Sequence, residues 1–420
     1  MAAVHRVAIV GGGFGGLYAA LRLGRAPVAL TLIDRRNFHL FQPLLYQVAT
    51  GALSPGDIAS PLRAVLRNQK NTEVVLGEVR DIDAANRRVI LEDGEVPYDD
   101  LVIATGATHF YFGNDQWEPL APGLKTIEDA TAIRSRILAA FEEAERESDE
   151  GKRRTWLNFV IAGGGPTGVE LAGALAEIAN DTLRHDFRHI NPAEAQILLV
   201  EGEPRVLPTF PPDLSTKAEK QLRELGVHLR TGARVTNIRE GTVTLQAGGR
   251  EEQIATHTVL WAAGVRASEL GKVLADRAGA PLDRAGRVLV EPDLTVPGHP
   301  EIHVIGDLAC FTHQNGKPLP GVAPVAMQQG RYVANAIRRK LAGKSAAPFH
   351  YFNKGNLATI GRNKAVADFG WLHVAGFAAW FLWVFVHLMY LVEFENRMLV
   401  FVQWVYDYIT RNRGARLITK

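Results

Sequence analysis

VAIVGGGFGG, residues Val7–Gly16, sets an apolar run against glycines at Gly11, Gly13 and Gly16, and LYAALRLG follows in helical periodicity. This order predicts a buried strand, a tight turn and a helix. Glycine turns let a backbone approach a pyrophosphate, and the helix N-terminus offers it free N–H groups and a positive dipole end. A second strand, VALTLID, ends at Asp34, at about the 20-residue distance where a carboxylate can accept from an adenosine ribose. The glycines alone would be weak evidence. Strand, helix and acid in register make them specific.

The device recurs. NFVIAGGGPTGVELAGALAEIA predicts a strand at Asn158–Ala162, a turn through Gly163, Gly165 and Gly168, and a helix. QILLVEGEPRVLP ends the next strand at Glu201, after a polar excursion, RHDFRHINPAE, that lengthens the spacing. Two such units predict two dinucleotides, usually one bound flavin and one exchanging nicotinamide. Glu201 suits a free 2′-hydroxyl and repels a 2′-phosphate, which favours NADH over NADPH; Arg205 nearby softens that preference. DDLVIATGATH (Asp99–His109) and HTVLWAAGVRAS (His257–Ser268) read as strands ending in small-residue turns beside a nucleotide. EIHVIGDLA (Glu301–Ala309) ends at Gly306-Asp307, where the acid either bonds a ribityl hydroxyl or is a plain turn residue.

At 420 residues the chain is too long for one ordinary core, so two or three domains are expected. Hydrophobic residues at 47% and charged residues at 22% are globular values, and a net charge of +2 carries no sign of a nucleic-acid partner. The single cysteine, Cys310, excludes an internal disulfide and two-thiol redox chemistry. No metal site is expected. The N-terminus enters a strand without a separable apolar leader, so the body is expected to face the cytoplasm.

The series GGGFGG, ATGA, GGGPTGVE, AAG, GDLA resembles the two-dinucleotide-binding-domain flavoproteins, the glutathione-reductase-like superfamily. The resemblance implies an α/β fold with two Rossmann-like domains. The FAD domain would be split between 1–112 and 285–345, with an NADH domain, 113–284, inserted and a membrane-anchoring region at 346–420. The stretch EEAERESDEGKRR (Glu142–Arg154) reads as a helix end and solvated loop entering that insertion. Implied contacts to non-covalent FAD are Gly11, Gly13, Phe14, Gly15, Gly16, Asp34, Arg35, Leu45, Val48, Val79, Ala104, Thr105, Gly106, Gly306, Asp307 and Ala326. Those to NADH are Gly163, Gly165, Pro166, Thr167, Gly168, Glu201, Ala263 and Gly264.

Members that reduce disulfides carry a cysteine pair just after the first ribose acid, and this chain has none there. Cys310 is expected to be a small buried residue. Electrons must then pass to a quinone, oxygen or a protein carrier. HLFQPLLYQVATG, His39–Gly51, holds no formal charge apart from what His39 acquires. With Leu44, Leu45, Tyr46 and Val48 it predicts a dry slot for a flat hydrophobic acceptor.

RRNFHLFQPLLYQVATGALSP, GGGPTGVELAGALAE, VAMQQGRYVA and FNKGNLATIGRNKAVAD resemble the type II NADH:quinone oxidoreductases, single-subunit respiratory enzymes that do not pump protons. The resemblance spans nearly the whole chain. It implies hydride transfer from NADH to FAD, then two-electron reduction of a membrane menaquinone or ubiquinone. It places Glu170 between nicotinamide and quinone, to orient substrates or relay protons; the plain alternative is a complement to the helix dipole. Gln328 would bond flavin or quinone carbonyls. Lys354 would stabilise negative charge, or be a solvated surface residue. The family's Ala-Gln-x-Ala-x-Gln is here Ala-Pro-Val-Ala-Met-Gln, so Pro324 replaces the first glutamine. Alternatives are an NAD(P)H-dependent reductase of a specialised naphthoquinone, a ferredoxin-type reductase and a flavin-binding redox sensor. Sulfide:quinone oxidoreduction needs at least two cysteines.

VAGFAAWFLWVFVHLMYLV, residues 374–392, is an apolar run of about transmembrane length. MLVFVQWVYDYITR follows, then a basic tail with Arg411, Arg413, Arg416 and Lys420. The run could span a bilayer, fill a dimer core or lie in the interface with the basic residues on anionic phosphates. The aromatic density favours the interface. The family resemblance implies it too, with a homodimer held peripherally on the cytoplasmic face of the membrane.

Overall fold

A computed structural model of the chain describes residues 4–419. In chain order, the principal elements begin with β1 (His5–Val10), α1 (Phe14–Leu23), β2 (Val28–Asp34), α2 (Leu45–Ala49), β3 (Thr72–Leu76), β4 (Asp100–Ile103) and α3 (Ile127–Arg146). Next come β5 (Asn158–Ala162), α4 (Pro166–Glu177), β6 (Gln196–Glu201), β7 (Val227–Thr231) and β8 (Thr258–Trp261). The last are β9 (His299–Val304), α5 (Ala323–Leu341), β10 (Asn356–Gly361), β11 (Lys364–Asp368), β12 (His373–Ala375), α6 (Phe377–Tyr390) and α7 (Phe394–Thr410).

Contacts divide the chain into two compact units. The first holds the chain up to Leu40, Ala59–Thr108 and Val265–Lys354; the second holds Phe41–Ile58, His109–Gly264 and the chain from Gly355 onward. The apolar segment at 41–58 therefore groups with the second unit, although it follows β2 of the first unit by only a few residues.

In the first unit, β3, β2, β1, β4 and β9 run parallel in that order, and Thr295–Val296 pairs antiparallel at the edge. Ile9 lies opposite both Leu32 and Val102. Parallel strands are covered on both faces, which is why β1 and β4 continue as the apolar runs Val7–Val10 and Leu101–Ile103. The strand order reverses direction at β1, so a crevice opens beyond the carboxyl ends of β1 and β4. Helices α1 and α5 pack closely: a Cβ on Gly330 would stand 2.2 Å from the Gly15 carbonyl oxygen. Pro324 occupies the first turn of α5, where its missing N–H costs no helical hydrogen bond.

The second unit repeats this plan with β7-β6-β5-β8, all parallel. Helix α3 starts with a reciprocal capping box between Thr126 and Asp129, which satisfies two orphan donors. Helix α4 lies against the antiparallel sheet β10-β11-β12, and a Cβ on Gly173 would meet the Ile360 carbonyl oxygen at 1.7 Å. Only glycine fits that contact.

Two expectations change. Glu142–Arg154 is not a helix end followed by a loop: after α3 a second helix, Glu150–Trp156, begins with Asp149 accepting from the Lys152 N–H. The polar composition hid a capped helix. The run at 374–392 is likewise broken. Gly376, at φ 77°, starts α6, which has 14 residues, about 21 Å at 1.5 Å per residue, against about 30 Å of bilayer hydrocarbon. No described helix is long and apolar enough to cross a membrane. Lys420 lies outside the described residues.

Candidate functional site

The first glycine turn follows β1. Gly11, at φ +103°, approaches the β4 end so closely that a Cβ would lie 2.5 Å from the Ala104 oxygen. A Cβ on Gly16 would lie 1.8 Å from the Gly11 oxygen, while Gly13, at the head of α1, faces open space. Asp34 accepts from the Gly12 N–H at 2.5 Å and the Arg36 N–H at 2.7 Å, and a carboxylate has lone pairs left for a ribose. Thr105 and Gly106 follow β4, and Gly306 (φ +72°) and Asp307 follow β9. Ala326 is buried, Val79 half-buried and Arg35 exposed.

Buried polar atoms test whether FAD fits. His39 is buried, and its Nδ1 donates to the Gly12 carbonyl at 2.9 Å. Desolvation pushes its pKa down to about 4, so the ring is neutral and Nε2 is an acceptor. That Nε2 and the Thr105 hydroxyl have no protein partner. Buried polar groups are normally satisfied, and hydroxyls of a bound dinucleotide would satisfy both. Phe14 packs edge-on against His39 with ring centroids 5.0 Å apart. FAD fits this cradle.

Gln329, buried, accepts from the Gly306 N–H at 2.7 Å. Its neighbour Gln328 grips the backbone of Phe352 from both sides, donating at 2.9 Å and accepting at 3.0 Å. Lys354 lies two residues further on and is exposed. Cys310 is buried, and desolvation raises its thiol pKa.

The second turn copies the first nearly angle for angle. Gly163 has φ +105°, and a Cβ on Gly168 would sit 1.8 Å from the Gly163 oxygen. Gly165, at the head of α4, is open. Pro166 and Thr167 form the first helical turn, where proline is favourable. Glu201 accepts from the Gly164 N–H at 2.6 Å and the Glu203 N–H at 2.8 Å, the same pair of contacts that Asp34 makes. Ala263 and Gly264 follow β8, and a Cβ on Gly264 would meet the Phe112 ring at 2.8 Å.

A third cluster lies within the second unit, around α2. Leu45 and Val48 are buried. Trp404 Nε1 donates to Gln47 Oε1 at 2.7 Å, and Gln47 Nε2 donates to the Tyr46 hydroxyl at 2.9 Å. The Tyr46 oxygen is thus supplied with a donor, and its own proton remains free to donate. Burial, then the Glu170 carboxylate, pushes the Tyr46 pKa well above its usual value, so it stays protonated. Trp383, also buried, stands 6.4 Å from Tyr46 by ring centroids, and its Nε1 has no partner. His387 stacks on Trp383 at 4.3 Å, and burial pushes its pKa down to about 4.

Glu170 occupies the second turn of α4. Desolvation pushes its carboxyl up to about 8, against a hydrogen bond from the Thr359 backbone. The close packing at Gly173, one turn along, brings β10 and this N–H within reach. Sequence reading singled out Tyr46 and Glu170 but passed over Gln47, Trp383 and Trp404. Gln47 is next to Tyr46, but Trp383 and Trp404 lie far along the chain, and only the fold joins them.

Two dinucleotide cradles at the reversal points of two parallel sheets, with no thiol pair, define a two-dinucleotide flavoprotein oxidoreductase. The family described as pyridine nucleotide-disulphide oxidoreductase matches residues 5–330, and the NDH2 C-terminal domain matches residues 353–412. The chain is 46% identical, over 99% of its length and 90% of that protein, to type II NADH:quinone oxidoreductase Ndh of Mycobacterium tuberculosis. It is 47% identical to NdhA of the same organism, over 99% of the chain and 89% of that protein. The solved structure of NDH2 from Plasmodium falciparum in complex with NADH matches with a TM-score of 0.88 at 22% identity over 100% of both chains, a likeness of fold. The chain belongs to the type II NADH:quinone oxidoreductase family, whose members depend on FAD and use NADH.

Proposed function

We propose that this chain oxidises NADH at the second glycine turn and reduces a membrane quinone, menaquinone or ubiquinone, at the cluster around α2. The buried Tyr46 hydroxyl, which accepts from Gln47 and keeps its own proton to donate, carries this reading. FAD, held at the first glycine turn, supplies hydride acceptance and two-electron delivery. Glu201 receives the adenosine ribose of NADH, and Gly163, Gly165 and Gly168 admit its pyrophosphate to the head of α4.

On the acceptor side, Tyr46 and Trp383 each hold an unused donor. A buried donor without a partner costs about 1–3 kcal/mol, and quinone carbonyls would relieve that cost. Glu170, with its carboxyl near pKa 8, is mostly protonated at neutral pH and can release a proton as the quinone is reduced. Gln328 fixes the backbone at Phe352 and so holds the loop that presents Lys354, whose ammonium favours negative charge developing nearby.

Membrane attachment rests on two apolar rows. Phe377, Phe381, Phe385 and Met389 recur every fourth residue on α6 and are between 52 and 59% exposed, which places them on one face. On α7, Met398, Phe401, Val402, Val405 and Ile409 are also exposed. Such faces bind the bilayer interface, and we place the protein peripherally on the cytoplasmic face. Homodimerisation rests on the family resemblance, and light scattering of the purified protein tests it.

The decisive experiment mixes yellow purified protein with NADH anaerobically and then adds a short-chain quinone. Bleaching by NADH that quinone reverses is the expected result. Bleached protein that quinone fails to reoxidise would refute the acceptor.

A further inference from the structure

The tail after α7 was expected to offer its arginines to lipid phosphates; in the structure Arg411, Arg413 and Arg416 each have an acidic protein partner. Arg411, at φ 59°, turns the chain back, and its guanidinium pairs with Asp181 at 3.2 Å. Arg416 pairs with Asp186. Ala415 N–H donates to the Gly51 carbonyl at 3.0 Å, and Thr419 exchanges hydrogen bonds with Ser135 at 2.8 and 3.1 Å. Residues 411–419 thus form a strap across the second unit.

Arg413 is its buried member. The side chain is only 10% exposed; Nη2 donates to Glu177 Oε2 at 2.8 Å and Nη1 to the Thr50 carbonyl at 3.2 Å. Glu177 is the last residue of α4, where the helix runs on into a π-helical turn, Ile178–Thr182. Arg413 and the Arg362 N–H, at 2.5 Å, both donate to its carboxylate. Thr50 closes the other helix, with its hydroxyl donating to the Tyr46 carbonyl at 2.8 Å. One guanidinium therefore ties the end of α4, which carries Glu170, to the end of α2, which carries Tyr46 and Gln47. Arginine's planar fork suits two acceptors at once in a way that a lysine ammonium does not.

We propose that Arg413 is a positioning residue for acceptor reduction: by holding Glu177 and Thr50 together, it sets the Tyr46 hydroxyl relative to Glu170. This rests on the reading that these two residues serve the quinone. Arg413 touches neither cradle glycine turn, so its loss acts on one half of the reaction. Breaking a charge-assisted hydrogen bond in a buried setting is expected to raise the KM for quinone about tenfold.

The test uses full-length, FAD-loaded Arg413→Gln, Arg413→Lys and Glu177→Gln proteins. It reads flavin bleaching by NADH, KM for NADH, KM for a short-chain ubiquinone, and ubiquinone binding by quenching of tryptophan fluorescence. Arg413→Gln should weaken quinone binding and raise its KM, leaving bleaching and KM for NADH within about twofold of the parent. Arg413→Lys should recover part of the loss, and Glu177→Gln should shift quinone constants in the same direction by less. Unchanged quinone binding and KM in folded Arg413→Gln would overturn the proposal, as would an equal loss in the NADH half-reaction. If Arg413→Gln does not fold, Glu177→Gln decides by the same two criteria. A parent enzyme that quinone cannot reoxidise would instead reject the acceptor reading itself.

Discussion

Replacing Glu170 by glutamine keeps the shape of the side chain and removes its titration. In the folded protein desolvation lifts this carboxyl from 4.5 to about 8. The folded state therefore binds the proton more tightly than the unfolded chain does. This proton-linked stability is full below about pH 4.5 and is lost as pH rises through about 8. At 1.36 kcal/mol per pH unit the interval sets a ceiling of about 5 kcal/mol. Glu170 is half-buried and keeps some contact with water, so a change on the order of 1–3 kcal/mol is expected. Glutamine carries no such dependence, so Glu170→Gln should gain stability over the parent as the solution becomes alkaline. Urea unfolding of both FAD-loaded proteins at about pH 5.5 and about pH 9 measures this directly. A stability difference between variant and parent that is equal at both pH values would refute the assignment. Reoxidation of the reduced flavin by quinone should also slow in the parent above about pH 8 and be slow but pH-independent in the variant.

Other substitutions test the remaining parts. Gly173→Ala puts a methyl 1.7 Å from the Ile360 carbonyl oxygen; a loss of about 3 kcal/mol or more is expected, read as a lowered melting temperature. Gly16→Ala places its methyl 1.8 Å from the Gly11 oxygen and should yield colourless protein, measured by flavin absorbance per chain. Glu201→Gln should raise KM for NADH about tenfold and narrow the preference over NADPH. Phe381→Glu with Phe385→Glu removes two exposed apolar side chains, each worth about 1.5–3 kcal/mol when buried. Liposome flotation should show the protein released, with turnover of a water-soluble quinone retained.

The glycine turns were readable from sequence because each lies in one short stretch, and Gly16 and Gly168 must be glycine to clear a carbonyl oxygen five residues back. Gly173 was readable only as part of a motif, since its reason, Ile360, lies far along the chain. The Tyr46–Gln47–Trp404 chain and the Arg413 clamp left no local trace, because hydrogen bonds between distant residues impose no periodicity. Composition misled where it outweighed breaks: Gly376 shortened an apolar run, and Asp149 started a helix within a charged one.

The pairing of β9 with β4 has a consequence for how the protein is made. Ile302 lies beside Leu101 in the finished sheet, although about 200 residues separate them on the emerging chain. At roughly 5–20 residues per second, the ribosome holds the first flavin-binding fragment incomplete for about 10–40 s. Throughout that interval an apolar strand edge waits for its neighbour, and contacts of such long range form slowly. Birth of the enzyme should therefore depend on chaperones and on flavin supply more than its finished stability suggests.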